Sequence, residues 1–375
     1  MIDADDDHAI QRGERTETIK AANSETGSLY TLFEQQVRRT PDRLALKLAN
    51  ADQPTAQALD GQSVDQAWTY AELSERVNQL AKSLQRQNIG KGQAVGVLIE
   101  RSLPVYVAVL AVLQTGAAYV PLDPSYPQKR LDYMANSAGL STIVTSKSVA
   151  DTLQNKSLNY LLIDSDGRLQ DNLSGAGQST VTDLSVNQQA GSHKISLCED
   201  CAYVMFTSGS TGMPKAVVAT HQATINRLQW MWERFPFAAT DICCQKTALS
   251  FVDSVWEIFG PLLRGVPTVV IPQQSLTDVI EFVDILEQEQ ISRLVLVPTL
   301  LGLLLNTHRD LGSRLHKLTL CTVSGEPLPR DTASRFFASM PGTTLLNLYG
   351  STEVSADVTY DIVSSEFTDA VRWSD

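Results

Sequence analysis

The sequence predicts an α/β protein built on parallel sheets, and two observations lead to this prediction. Short continuous apolar segments recur along the chain, and amphipathic segments of helical length separate them. Continuous apolar strands are typical of parallel sheets buried on both faces, because helices cover both sides of such sheets. The 375 residues are 43% hydrophobic and 19% charged, a composition that can supply a large buried core.

The alternation of elements begins after an acidic N-terminal stretch. Thr69 and Glu72 have the spacing of a helix capping box, and the apolar residues that follow recur at helical spacing as far as Gly90, where we expect the helix to end. Further predicted elements are strands 94–99, 118–122 and 142–145 and helices 105–114 and 132–138.

The same rhythm resumes in the second half of the chain. Polar segments 50–66 and 170–193 are predicted to be surface insertions or loops. The predicted strands there are 202–206, 268–271, 293–297, 318–323 and 344–347, and the predicted helices are 223–232, 255–263, 276–288 and 329–339.

Charge, hydropathy and cysteine usage exclude several classes of protein. A net charge of −12 argues against a broad nucleic-acid surface, and apolar segment 103–113 is too short to span a bilayer. We therefore expect neither nucleic acid nor membrane as a partner. Cys198 and Cys201 have the spacing of a redox or zinc motif, but no second such pair accompanies them. Strand-edge and core cysteines in a reduced cytoplasm are the favoured interpretation.

The segment with the clearest chemical meaning is 203–215. An apolar strand runs into hydroxyl residues and glycines and then reaches Lys215. Glycines let backbone N–H groups approach phosphate oxygens, hydroxyls add donors, and lysine adds a cation. Ala216 follows the lysine where a Walker A loop has Ser or Thr, so this is a different phosphate loop. Its candidate binding residues are Thr207, Ser208, Gly209, Ser210, Thr211, Gly212 and Lys215.

Five segments together resemble one known family. The chain is similar to the AMP-binding, adenylate-forming superfamily, and especially to the amino-acid adenylation domains of nonribosomal peptide synthetases. The resemblance covers nearly the whole chain after about Leu29 and rests on segments 32–42, 68–73, 116–127, 203–215 and 347–353, in the last of which Ser351 replaces the usual proline.

The resemblance implies an architecture. The fold class would be α/β, the large N-terminal lobe of the adenylate-forming fold, with stacked sheets and helices on their faces. Residues 1–28 are expected to be a disordered leader, and 29–375 the AMP-binding lobe. The family's later ribose-binding motif and the small C-terminal lobe with its catalytic lysine have no counterpart here, so we expect the large lobe to be incomplete at its C-terminus.

The resemblance also implies roles in nucleotide binding. Glu353 would hold Mg²⁺, and Thr352 would bond the α-phosphate of ATP. Tyr349 would stack on adenine, and Asn347 would meet its exocyclic amine. The other wall of the adenine slot would be Gly325, Glu326 and Pro327, and Gly350 and Ser351 would complete the motif. The implied catalytic residues are Thr207, Lys215, Thr352 and Glu353.

A second set of residues would select the substrate. Relatives specific for α-amino acids place an aspartate where this chain has Val252, and here Asp253 comes one position later. The implied pocket is similar to the pattern associated with β-alanine and other β-amino acids, whose ammonium lies one carbon further from the carboxylate. An α-amino acid with a drifted motif is the alternative. The pocket residues are Val252, Asp253, Trp256, Val295, Thr322, Ser324, Leu348, Ala356 and Asp357.

The implied reaction is attack of a substrate carboxylate on the α-phosphorus of Mg·ATP, with release of pyrophosphate. A carrier protein's phosphopantetheine, or CoA, would be the downstream acceptor. Two alternatives stay open: an acyl- or aryl-CoA ligase on the same fold, and a non-catalytic nucleotide-binding fragment.

Overall fold

The secondary structure comes from a computed structural model that describes residues 17–18, 27–49, 67–153, 155, 157–170, 197–198, 200–208 and 213–365. Strands and helices alternate along most of these ranges, as the apolar pattern predicts. The strands are β1 (Glu17–Thr18), β2 (Leu44–Leu48), β3 (Ala67–Thr69), β4 (Ala94–Leu98), β5 (Ala118–Pro121), β6 (Thr142–Ser146), β7 (Asn159–Ile163), β8 (Cys201–Thr207), β9 (Lys215–Thr220), β10 (Cys243–Gln245), β11 (Thr268–Val270), β12 (Arg293–Leu296), β13 (Leu320–Val323), β14 (Thr344–Ser351) and β15 (Ala356–Val363).

Helices connect most of the parallel strands. Short 3-10 turns are present at Gln274–Leu276 and Thr352–Val354. The α-helices are α1 (Leu29–Arg39), α2 (Tyr70–Arg86), α3 (Leu103–Thr115), α4 (Gln128–Ser137), α5 (Lys147–Ala150), α6 (His221–Arg234), α7 (Asp253–Leu262), α8 (Val279–Gln288), α9 (Pro298–Thr307), α10 (Leu311–Arg314) and α11 (Arg330–Ser339).

Within the described ranges the strands form two sheets. The nine-stranded sheet has the order β1-β15-β14-β13-β12-β10-β11-β2-β3, and the six-stranded sheet has the order β7-β6-β4-β5-β8-β9. Both sheets are parallel in their centres. Antiparallel strands lie at their edges, namely β9 in the smaller sheet and β1, β15 and β3 in the larger one. The predicted α/β class is therefore confirmed.

Helix α3 lies between the two sheets. Residues Leu103 to Leu113 are all buried, which is the environment expected for a helix that is apolar on every side. The helix contacts β2 of the larger sheet and β4 and β5 of the smaller one. One continuous apolar core therefore joins the two sheets. Across the described ranges, no helix is long and apolar enough to cross a membrane.

Several local predictions can be compared with the structure. The capping box is present, since Thr69 Oγ1 accepts from Glu72 N while Glu72 Oε2 accepts from Thr69 N. The helix end predicted at Gly90 is wrong: α2 ends at Arg86, because Asn88 takes the left-handed conformation (φ 60°) that breaks the helix. Helix α8 begins at Val279 rather than at 276, because the Asp278 side chain caps it.

Helix α1 is the first helix of the described chain and begins at Leu29. Ser28 is its N-cap, and the Ser28 hydroxyl accepts from Thr31 N. Within the predicted leader, Glu17–Thr18 pairs with Tyr360 and Thr359 on the edge of β15. The rest of the leader up to residue 26 lies outside the described residues, as do insertion 50–66 and residues 171–193 of the second insertion.

Candidate nucleotide and acyl-binding site

The predicted phosphate segment begins and ends on two antiparallel strands, β8 and β9, which are together called the hairpin. Strands β8 and β9 pair as far as Thr207 and Lys215, which are cross-strand partners at the end where the connecting segment leaves the sheet. Ser208 and Lys215 are exposed there. Gly209, Ser210, Thr211 and Gly212 lie outside the described residues. A lysine held on a paired strand can present its ammonium to a phosphate more reproducibly than one on a free loop.

Tyr133 on α4 contacts both arms of this hairpin. Its hydroxyl donates to Pro214 O at 3.2 Å, and its ring packs edge-on against Phe206 with ring centroids 6.5 Å apart. Sequence reasoning missed this residue, because a single tyrosine on an amphipathic helix carries no distinguishing signal. Tyr133 therefore links both arms of the hairpin to helix α4.

The candidate adenine-binding residues lie on the edge of the larger sheet. Tyr349 is 74% exposed, so its ring is free to take up a planar partner. The register of β14 and β15 shifts between Tyr349 and Gly350. A Cβ added to Gly350 would come within 1.7 Å of Ala356 O, so this close backbone approach requires glycine. Asn347 pairs with Val323 of β13 and Asp361 of β15.

The two predicted halves of the nucleotide site meet across the sheets. Strand β9, which begins at Lys215, contacts the 3-10 turn Thr352–Val354. Glu353 is exposed, and none of the described residues pairs with its carboxylate. Ser355 and Ala356 follow with φ angles of 60° and 96°, a strained backbone of the kind that concentrates at functional sites.

Glu326 belongs to the predicted second wall of the adenine slot, and it is anchored to a helix end. Its Oε2 atom accepts from the backbone N–H of Thr299 at 3.0 Å and from the Thr299 hydroxyl. These bonds satisfy a free donor in the first turn of α9, where negative charge is favoured. Gly325 takes a left-handed φ of 81°, which lets the chain turn sharply before Pro327.

Asp253, at the start of α7, is the buried carboxylate of the predicted substrate pocket. Its Oδ2 atom accepts a 2.9 Å hydrogen bond from the hydroxyl of Ser324, which directly follows β13. Burial is the main reason that the pKa of Asp253 is raised to about 6, and the charge of Asp357 adds to it. Ser324 acts in the opposite direction, because its hydrogen bond favours the ionised carboxylate.

The other predicted pocket residues converge on the same region. Trp256, Val295 and Thr322 line one small cavity, and Leu348 packs in the cluster that Trp256 joins. Val252 immediately precedes α7. Ala356 and Asp357 oppose Ser351 and Gly350 across the β14–β15 pair, which links the pocket to the nucleotide motif.

Trp256 is held in place from several sides. Its ring stacks on Phe237 at a centroid distance of 6.0 Å and an interplanar angle of 5°. A Cβ on Gly260 would lie 2.6 Å from the indole, so the absence of a side chain there lets the ring lie against its own helix. A fixed indole gives the pocket a rigid wall.

Asp357 does not stand alone in the pocket. It accepts two hydrogen bonds from Arg227 on α6 and is buried with it. The sequence identified the aspartate as a pocket residue but did not identify Arg227 as its partner. The proposed ammonium partners, Asp253 and Asp357, therefore differ: Arg227 compensates Asp357, while Asp253 has only a neutral hydroxyl donor among the described residues.

The remaining conspicuous motif is the pair Cys198 and Cys201. The Cys198 and Cys201 sulfurs lie 3.8 Å apart, Cys198 is exposed, and burial chiefly raises the pKa of Cys201 to about 12. Within the described part of the chain, no group of three or more His, Cys, Asp or Glu side chains forms a metal site. For Mg²⁺ the fit lies elsewhere: an exposed, unpaired Glu353 suits a cation that binds through few carboxylates and the phosphates of its nucleotide.

Comparison with known proteins places the chain in a family. The family model described as "AMP-binding enzyme" matches residues 33–374. Tyrocidine synthase 3 of Brevibacillus parabrevis is 34% identical over 89% of this chain and 5% of its own length. The Drosophila melanogaster beta-alanyl-bioamine nonribosomal peptide synthetase ebony is 34% identical over 89% of this chain and 38% of its own. The chain therefore spans well under two thirds of these relatives.

The chain is also similar to solved structures of nonribosomal peptide synthetases. The AMPPNP-bound form of the nonribosomal peptide synthetase FmoA3 (S1046A) is similar with a TM-score of 0.74 and 26% identity, covering 94% of this chain and 35% of that one. The N-terminal subdomain of Klebsiella oxytoca NpsA, in complex with 3-hydroxybenzoyl-AMSN, is similar with a TM-score of 0.71 and 25% identity, covering 92% and 78%. The chain belongs to the AMP-binding enzyme family, in which it corresponds to the N-terminal lobe of a nonribosomal peptide synthetase adenylation domain.

Proposed function

We propose that this lobe binds Mg·ATP and an amino acid for activation of the amino acid as its aminoacyl-AMP, with release of pyrophosphate. The observation that carries the proposal is the meeting of β9 with the turn Thr352–Val354. We expect this contact to bring Lys215, Thr352 and the free carboxylate of Glu353 around one space. Such a set can neutralise phosphate charge and hold two anions in contact, which is what this reaction requires.

Each group has a specific task in this proposal. Lys215 and the backbone of its hairpin receive the phosphates, and Thr352 donates to the α-phosphate. Glu353 holds Mg²⁺, which supplies further neutralisation of the phosphate oxygens. The exposed Tyr349 ring receives the adenine, with Asn347 beside it.

The substrate that we propose is an amino acid with a single ammonium group, of which β-alanine is the preferred candidate. A buried carboxylate at Asp253 with only a hydroxyl donor gains most from an ammonium partner, because an unpaired buried charge is costly. A similar relative is named for beta-alanyl chemistry, which agrees with the position of the aspartate. The same buried carboxylate disfavours an apolar acyl chain in this pocket.

The proposal extends to the setting of the reaction. A similar solved structure, the artificially fused adenylation–PCP di-domain NpsA-ThdA from Klebsiella oxytoca, supports a carrier protein as the partner, whose phosphopantetheine thiol would be the acyl acceptor. The five cysteines are all free, which is consistent with a reduced cytoplasm.

Two assays on the full chain test the proposal. Calorimetry would compare AMP with β-alanyl-, glycyl-, L-alanyl- and butyryl-sulfamoyladenosine, and ATP–pyrophosphate exchange would be measured with the corresponding acids. Tightest binding and fastest exchange with the β-alanyl compound and β-alanine are expected. Preference for glycine or L-alanine would overturn the β-amino acid, and preference for butyrate would favour an acyl-CoA ligase. Binding without exchange would favour a non-catalytic fragment, and failure to bind AMP would overturn the nucleotide site.

A further inference from the structure

Arg227 and Asp357 form a buried ion pair beside the acyl pocket. The Nε and Nη2 atoms of Arg227 donate to Asp357 Oδ2 at 3.0 and 2.6 Å. The two side chains are 7% and 6% exposed. At this depth the pair is only weakly screened, and removal of one partner leaves an uncompensated charge.

Aromatic rings hold the arginine in this position. Its Cζ atom lies 4.9 Å from the ring centroid of Trp230 and 5.8 Å from that of Trp256. Trp256 is one of the pocket residues and is itself fixed by stacking on Phe237. Arg227 is therefore held against the pocket wall by cation–π contacts and cannot turn out to solvent without losing them.

Carboxylates outnumber cationic side chains around the pocket. Asp357 is balanced by Arg227, and the buried Glu257 has Lys246 at 3.6 Å. Asp253 forms no ion pair with any of the described residues; the charges of Asp357, Glu257 and Lys246 reach it, and the last two are paired with each other. The cluster as a whole therefore carries one uncompensated negative charge.

We propose that Arg227 is a specificity-determining residue: by neutralising Asp357 it leaves Asp253 as the single free carboxylate, so the pocket takes substrates with one ammonium group. This inference rests on the proposed amino-acid activation. Without Arg227 the pocket would contain two unpaired carboxylates and would favour a substrate with two ammonium groups. Arg227 thus determines how many ammonium groups the preferred substrate has, and it does not contact the reacting atoms.

The test compares two probes on the full chain. One is β-alanyl-sulfamoyladenosine, and the other is 2,3-diaminopropanoyl-sulfamoyladenosine, which has a second amino group on the α-carbon. The wild type is expected to prefer the first. R227Q is expected to shift the affinity ratio toward the diamino probe by about tenfold or more, since each charge pair gained or lost at this depth is worth at least that factor.

The double variant R227Q/D357N separates charge from size. It removes both members of the pair and leaves Asp253 as the lone carboxylate, so it is expected to regain the wild-type preference. If it favours the diamino probe, the preference depends on the room that Arg227 occupies and the proposal is wrong. This comparison also holds if R227Q itself does not fold.

A matched control lies far from the pocket. Arg76 is also a buried arginine that pairs with an aspartate, Asp166 at 2.7 Å, and covers a tryptophan, Trp68 at 4.5 Å. R76Q is expected to lower stability without changing the probe ratio. AMP is the reference ligand for the nucleotide slot. Loss of AMP binding in the wild type would overturn the proposed function, whereas normal AMP binding with an unchanged ratio in R227Q would overturn only the present inference.

Discussion

The Ser324 hydroxyl donates a 2.9 Å hydrogen bond to Asp253 Oδ2, joining the end of β13 to the first residue of α7. The bond sets a carboxylate at the point where the two elements meet. It stabilises the ionised form, yet burial and Asp357 outweigh it and raise the pKa of Asp253 to about 6. The surrounding charged groups are Asp357, Glu257 and Lys246, and Asp357 is in turn paired with Arg227.

The raised pKa predicts how stability depends on pH. Because the folded state binds the Asp253 proton more tightly than the unfolded state, its contribution to stability is present at low pH and is lost as pH rises through about 6. Ionisation of Asp253 then lowers the free energy of unfolding of the ligand-free protein by up to about 3 kcal/mol. D253N removes this cost and can keep the Ser324 bond. Its free energy of unfolding, relative to wild type, should therefore rise between about pH 4 and about pH 7, the range that spans the unfolded and folded pKa values of this carboxyl, and should be level above it.

The same carboxylate predicts a pH dependence of binding. An ammonium ligand needs ionised Asp253, so the affinity of the wild type for β-alanyl-sulfamoyladenosine should fall below about pH 6, approaching tenfold per pH unit. D253N should bind weakly with a flat profile in this range. Calorimetry over this range, with AMP as the reference ligand, measures both effects. A pH slope that survives in D253N would assign the titration to another group.

Tyr133 predicts an effect transmitted through the hairpin. Y133F removes the hydroxyl that holds Pro214 O and should cost about 1 kcal/mol of stability. Because the hairpin arms then move more freely, affinity for ATP should fall about threefold to tenfold, and affinity for adenosine should change little. Y160F is the matched control, since the Tyr160 hydroxyl also bonds a backbone carbonyl, that of Asn155 at 2.8 Å, away from the hairpin. Equal losses of ATP affinity in both variants would contradict the anchoring role.

Glu353 predicts a magnesium-dependent effect. Because its carboxylate is exposed and unpaired among the described residues, E353Q should leave stability nearly unchanged. Its affinity for ATP should fall about tenfold or more when Mg²⁺ is present and should be unaffected when EDTA removes the metal. E34Q, at a partly exposed glutamate on α1 that pairs with Arg38, is the control. A loss that persists in EDTA would give Glu353 a role other than metal binding.

The sequence predicts the strand-and-helix alternation well, because buried parallel strands are short continuous apolar segments with few alternatives. It predicts the hairpin less well. Strand β9 begins at the lysine of the phosphate segment. Because it is half exposed, it does not show the continuous apolar pattern of a buried strand. Helix α9 was missed as well, although Pro298 at its first turn is a favourable start, because its leucine-rich run does not alternate clearly between faces.

In the site, too, local motifs are predictable from the sequence and long-range contacts are not. Local motifs identify Asp253 and Asp357 as candidates, but they cannot tell which of the two is free. That distinction depends on Arg227, which is 130 residues from Asp357 in the chain and reaches it only because β15 folds back on β14. Tertiary pairing across such a distance leaves no periodic trace in one sequence, and this is why the charge balance of the pocket needed the structure.

Gly350 predicts that the nucleotide motif and the acyl pocket are mechanically coupled. A methyl group there would meet Ala356 O and the Cα of Asp357 at 1.7 and 2.5 Å, so G350A must displace β15. Overpacking of this severity should cost about 3 kcal/mol, measured as a shift in the urea midpoint. Because Asp357 moves with its strand, the β-alanyl probe should bind more weakly by a larger factor than AMP does.

The control for this variant is G342A. Gly342 lies in the turn before β14 and has no atom within 4 Å of an added Cβ, so its replacement should change stability by less than about 0.5 kcal/mol. If G350A matched G342A in both stability and probe binding, the close approach of β14 and β15 would not exist in solution. If G350A lost stability but weakened AMP and the β-alanyl probe equally, the strand pair would support the fold without linking the two sites.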